Sequence, residues 1–151
     1  MKNKSLLIYF FIFLFLFFCS KNPVSISEKK GFRSLIYKEF GGIAGVNNIM
    51  NIDLNSVVSF KDRTDSTYTK KIEQEKIDEI VSAIYDNNFV SMKSQYGTSG
   101  AVADQLTLEV IYSDFYFTKS VIARTDPKDE PPQGFNTIVS ILQKIQTDII
   151  K

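Results

Sequence analysis

The stretch EQEKIDEIVSAIYDNN, residues 73–88, decides the fold. Ile77, Ile80, Val81 and Ile84 recur at i, i+3, i+4 and i+7, the single apolar stripe of an amphipathic helix. Glu73 and Glu75 fall in its first turn, where negative charge suits the helix dipole. Asn87 and Asn88 end it, because Asn tolerates the left-handed conformation that closes a helix. A helix with one apolar stripe needs a surface to lie on, and the flanking segments supply strands.

Upstream, RSLIYKEF at 33–40 reads as a first strand. GGIAG at 41–45 follows; its glycines permit positive φ and suit a tight or bulged connection into a second strand over 47–53. DLNS at 53–56 is turn chemistry, and 57–62 reads as a third strand. RTDSTYTKK, 63–71, reads as a polar connection or a ragged strand end.

Downstream, Phe89, Val90 and Met92 return to the core, and 93–104 form a small-residue loop with two glycines. Leu106, Leu108 and Val110 share one face of a strand over 105–112, and a further strand covers 115–124. Ser113 and Asp114 read as a hairpin tip. A two-residue turn sets Lys119 on the apolar face, and a three-residue turn sets Thr118 and Ser120 there, so the pair predicts a bulge or an open edge. A proline-rich acidic loop over 125–134 leads into a last helix at 132–150. Its stripe is Phe135, Ile138, Val139, Leu142, Ile145 and Ile149, and Pro132 suits its first turn. The predicted class is α+β: an antiparallel sheet of four to five strands with two helices on one face, in the order β-β-β-α-β-β-α.

The N-terminus has a different character. Lys2 and Lys4 precede thirteen uncharged residues, 6–18, six of them Phe. A helix of that length rises roughly 20 Å against roughly 30 Å of bilayer hydrocarbon. It suits the apolar core of a signal peptide better than a span. The only cysteine, Cys19, follows directly, and then the polar run SKNPVSISEKKG. This is the layout of a bacterial lipoprotein signal, with Cys19 as the lipid attachment site. Leu16 fits the usual box before that cysteine and Phe18 does not, since a small residue normally stands there. An uncleaved anchor or an ordinary secretory signal are the alternatives, and all three export the domain. The expected organisation is a signal peptide at 1–18, a flexible tether at 19–31 and one α+β domain at 32–151. The expected location is the bacterial cell envelope, membrane-anchored.

Charge and composition narrow the function. The chain carries a formal +1; taking the two leader lysines from its 18 basic residues leaves 16 against 17 acidic, a net of −1. Such balance is poor footing for nucleic acid. The sequence has no His, which removes the commonest general base and zinc ligand, and lipidation of Cys19 leaves no thiol. No Gly-x-Ser-x-Gly and no Ser-x-x-Lys with its partner motifs occurs. GGIAG lacks both the glycine spacing of a dinucleotide site and the Gly-Lys-Ser/Thr of a P-loop. Asp126, Asp129 and Glu130 lack the alternation of a calcium loop and read as a solvated acidic loop. No enzyme, no cofactor and no metal are expected. Tyr112, Phe115, Tyr116 and Phe117 cluster at a hairpin tip, where some must face outward.

From FGGIAGVNNIMNID onward the chain resembles the emfourin family, small bacterial inhibitors of thermolysin-like metalloproteases. The residues that carry the resemblance are Gly41, Gly42, Ala44 and Gly45, then Ile80, Ile84 and Phe89, then Asp104 before the Leu106 strand and Pro131-Pro132 before the last helix. Ile43 stands where the family pattern has an aromatic residue. The resemblance covers about 34–145 and implies a binding module that occludes a protease. No inhibitor contact residue matches position by position. The expected binding loops are those of Gly41, Gly42, Ile43 and Gly45, and of Gly97 and Gly100. The expected partners are the membrane, through Cys19, and a protein. The alternative is an accessory envelope lipoprotein without inhibitory action.

Overall fold

The computed structural model describes residues 25–98, 105–125 and 128–151. Cys19, the signal segment, Gly100, Asp104 and Asp126 lie outside them.

A short helix α1 (Ile26–Lys30) leads into strands β1 (Phe32–Gly41), β2 (Val46–Asp53), β3 (Val57–Lys61) and β4 (Thr67–Lys71). Helix α2 (Gln74–Asp86) follows, then a 3-10 turn at Phe89–Ser91 and a two-residue strand β5 (Gln95–Tyr96). Strands β6 (Leu106–Asp114) and β7 (Thr118–Arg124) and helix α3 (Gln133–Ile150) complete the chain. The sheet has seven strands in the order β4-β3-β2-β1-β6-β7-β5. All pairs are antiparallel except β5 with β7, so the sheet is mixed.

The α+β class stands, but the sheet is larger than the four to five strands expected, its element order differs, and it is not purely antiparallel. Two strands account for the difference. β4, TYTKK, is a solvated edge whose only half-buried side chain is Tyr68, so it shows no apolar alternation. β5 is too short to carry a period, and only its pairing of Gln95 with Ile122 and Tyr96 with Ala123 marks it.

Period two places one face of the sheet in the core. Leu35 and Tyr37 of β1, Met50 and Ile52 of β2, Val58 and Phe60 of β3, Val110 and Tyr112 of β6, and Val121 and Ala123 of β7 are buried. Ile77, Ile80, Val81 and Ile84 of α2 and Phe135, Ile138, Val139, Leu142 and Ile145 of α3 join the same cluster. Asn88 has φ +53°, and Asn87 donates its backbone N–H to the Ala83 carbonyl, which closes α2.

Lys119 pairs with Tyr112 and so sits on the core face, at the open side of the sheet. Its Nζ reaches the Met92 carbonyl at 2.6 Å, so the charge leaves the core through a backbone acceptor. The segment expected as a flexible tether ends in α1. There the Ile26 and Ser27 amides donate to the two carboxylate oxygens of Asp78 on α2, at 3.1 and 3.0 Å. Burial pushes the Asp78 carboxyl up, and these bonds with those from the Ser27 and Gln74 side chains more than offset it, holding it low.

Candidate functional site

Gly41 closes β1 with φ +97°, and a Cβ there would stand 2.4 Å from the Gln105 carbonyl oxygen. Only glycine satisfies both conditions. The Gly42 amide donates to that same carbonyl at 3.1 Å, and the Gly45 amide donates to the Gly42 carbonyl at 3.0 Å. Arg63, from the β3–β4 connection, donates to the Ala44 carbonyl at 3.2 Å. The turn is thus held from three sides, and at its apex Ile43 is 81% exposed.

The described part of the second candidate loop, Gly97 and Thr98, lies at the same end of the sheet. Gly97 leaves β5, and its amide donates to Asp129 Oδ2 at 3.1 Å, while Lys93 pairs with Asp129 Oδ1 at 3.3 Å. Gln105 Nε2 donates to the carbonyls of Thr98 and Thr125, both at 3.3 Å. The residue whose carbonyl anchors Gly42 therefore also holds Thr98, the residue after Gly97. Sheet order explains this: β1 lies beside β6, β6 beside β7 and β7 beside β5. Gly41, Gly42, Ile43, Gly45 and Gly97 consequently share one end of the sheet. Asp129, weighed above as a cation ligand, serves as the clasp of this loop.

An open pocket of about 400 Å³ adjoins this end, between Leu106, Leu108 and Ala123 of the sheet and Glu130, Pro131 and Asn136 at the start of α3. The one hydroxyl among these described lining residues, Thr125 Oγ1, donates to the Leu106 carbonyl at 3.2 Å. Among the described residues no three metal-ligating side chains gather, and no helix is long and apolar enough to cross a membrane.

The four aromatic residues of the β6–β7 hairpin divide. Tyr112 is fully buried and Phe117 packs against the core, whereas Phe115 and Tyr116 are exposed at the tip. Asp114 fixes that tip: its Oδ1 accepts the Tyr116 and Phe117 amides at 2.7 and 3.0 Å, and its Oδ2 accepts the Tyr85 hydroxyl at 2.7 Å.

Sequence reasoning missed a buried polar cluster beneath α3. Glu39 faces the core from β1. Its Oε1 accepts the Tyr37 hydroxyl at 2.6 Å and Gln143 Nε2 at 2.9 Å, and its Oε2 accepts Asn48 Nδ2 at 2.9 Å. Burial pushes the Glu39 carboxyl up, yet the bonds from Tyr37, Asn48, Gln143 and Gln146 outweigh it and hold it below its usual value. The sequence signal was Tyr-x-Glu in a strand, which puts both side chains on one face; the partner on α3 lies 104 residues away. The donors from α3 converge on Glu39, so the cluster fastens α3 to the sheet, although the buried Gln146 Oε1 is left without a partner among the described residues.

Burial also pushes up the phenols of Tyr37, Tyr112 and Tyr85, the last to about 12 with a further push from the Asp114 hydrogen bond. These groups ionise less readily in the folded chain than in the unfolded one. Their stabilising contribution is complete below the ordinary phenol range and is lost as pH rises through it. Denaturant midpoints should therefore hold near pH 8 and fall steadily from about pH 10 upward. Tyr85→Phe should lessen that fall; an unchanged slope would show that Tyr85 does not contribute.

No known family model matches the chain, and no curated protein resembles it significantly.

Proposed function

We propose that the chain is a membrane-tethered, non-catalytic protein-binding module of the bacterial cell envelope. The emfourin resemblance implies its particular form, occlusion of a thermolysin-like metalloprotease. The observation that supports it is the clamped 41–45 turn. A rigid turn that projects one aliphatic side chain loses little conformational freedom when a partner covers it. The neighbouring Gly97 loop, held through Gln105, widens the same surface. Ile43 replaces the aromatic residue of the family pattern and would fill a smaller recess.

The alternative, an accessory lipoprotein without inhibitory action, draws on the outer face of the sheet. Ile36, Phe40, Ile49, Ile111 and Ile122 alternate there with Lys38, Asn51, Glu109 and Ser120, and none of these five apolar side chains is fully buried.

The tether is tested by feeding cells a fatty-acid analogue. The wild-type chain should be labelled and retained with membranes, and Cys19→Ser should be unlabelled. Equal labelling of both would remove the lipid from the account.

A further inference from the structure

The end of the sheet opposite the glycine turn carries a second exposed apolar group. Leu54, 66% exposed, tips the β2–β3 turn; Phe115 and Tyr116, 65% and 81% exposed, tip the β6–β7 turn. The register brings these turns together. Ser34 pairs with Asp53, Phe32 pairs with Asp114, and the Phe115 amide donates to the Gly31 carbonyl at 3.0 Å. Leu54 and Phe115 line one open groove of about 570 Å³ with Phe32 and Arg33. Ile26, also exposed, precedes Gly31 on α1 at this same end.

Both tips are pre-set. Asp53 Oδ1 accepts the Asn55 and Val57 amides at 2.8 and 2.9 Å, just as Asp114 fixes the Phe115–Tyr116 tip. The carboxylates of Asp53, Asp78 and Asp114 are thus turned onto protein donors. Two cations stand beside the tips: Arg33 lies 4.8 Å from the centre of the Phe115 ring, and Lys30 lies 4.0 Å from that of Tyr85.

This is also where the described chain begins. Ser25 is six residues after Cys19, so an extended link between them spans at most about 20 Å. A lipid on Cys19 would hold this end, and not the glycine turn, against the bilayer.

We propose that the Leu54–Phe115–Tyr116 end is a membrane-seating surface, which dips its three apolar tips into the headgroup layer of an anionic bilayer. The proposal rests on the lipid tether for its occupant. Tyrosine suits that depth, with an apolar ring and a polar end, and Arg33 and Lys30 meet lipid phosphates. A lipid on Cys19 fixes residence at the membrane but leaves the domain free to turn, and a second contact fixes its orientation. Seated in this way, β1 carries the Ile43 turn about 30 Å away from the membrane.

The sequence contains no Trp, so one introduced indole reports without background. The full chain, purified from membranes as Tyr116→Trp or as Ile43→Trp, is reconstituted into phosphatidylethanolamine–phosphatidylglycerol vesicles whose acyl chains are brominated near the headgroup. The two positions are equally exposed in the protein. Emission of Tyr116→Trp should shift to the blue and fall by about twofold, the depth expected of an interfacial side chain, while Ile43→Trp stays unquenched. Equal quenching at both positions, or none at 116, overturns the seat. A blue shift at 116 without quenching places a second copy on the patch and also overturns it. The tether is read separately by fatty-acid labelling. A labelled chain with no quenching at 116 leaves the tether and removes the seat, and an unlabelled wild-type chain that is still quenched at 116 leaves the seat and removes the tether.

Discussion

Ile80→Ala and Leu142→Ala should each lower the unfolding free energy by about 2–5 kcal/mol, the range for a large aliphatic side chain removed from a packed interior. Both side chains are fully buried, one on each long helix, and both belong to the cluster that joins the helices to the sheet. Against a total stability of about 5–15 kcal/mol, either loss is a large fraction, and both together approach unfolding. Urea melts followed by circular dichroism measure it. A shift below about 0.5 kcal/mol at both positions would mean that the helices lie elsewhere than on the sheet.

Glu39→Ala should cost about 3 kcal/mol or more, because it strands three donors inside the protein. The Tyr37 hydroxyl, Asn48 Nδ2 and Gln143 Nε2 all point at this one carboxylate. Glu39→Gln keeps the volume but offers an amide nitrogen to one donor and should cost about 1–3 kcal/mol. The sign of the pH effect follows from the lowered carboxyl. The charged form is favoured by folding, so the contribution is present at neutral pH and is lost as pH falls through the folded value, below the usual carboxylate range. Acid melts of Glu39→Gln should therefore be flatter than those of the wild type. Equal acid sensitivity in the two would show that the cluster does not carry the charge.

What could be read from the chain was what repeats along it. The α2 stripe from Ile77 to Ile84 and the α3 stripe from Phe135 to Ile145 are periodic over several turns, and both helices form within two residues of expectation. β4 was legible only as a polar connection or a ragged strand end, because this edge strand half-buries a single side chain, Tyr68, which stacks on Phe60 at 6.1 Å. The Lys119 register was undecided because the charge leaves the core face sideways, toward Met92, which no turn rule anticipates. The glycine turn was legible from GGIAG itself. Its meeting with the Gly97 loop was not, because Gln105 joins them only through the sheet order, and Glu39 was hidden because its α3 partner lies 104 residues on. The aromatic tip could be seen as a cluster, but only the register shows that Phe115 and Tyr116 share an end with Leu54 and with the start of the described chain.

The proposed mode of action is contact through the Ile43 turn. The most direct measurement is a titration of the full chain against thermolysin-like metalloproteases, with Ile43→Asp alongside. Ile43 is exposed, so the change should alter stability by less than about 0.5 kcal/mol. Protease activity should be lost with saturation at one chain per enzyme, and should recover with Ile43→Asp at native circular dichroism. Full activity of every such protease in a micromolar excess of the wild-type chain would contradict it.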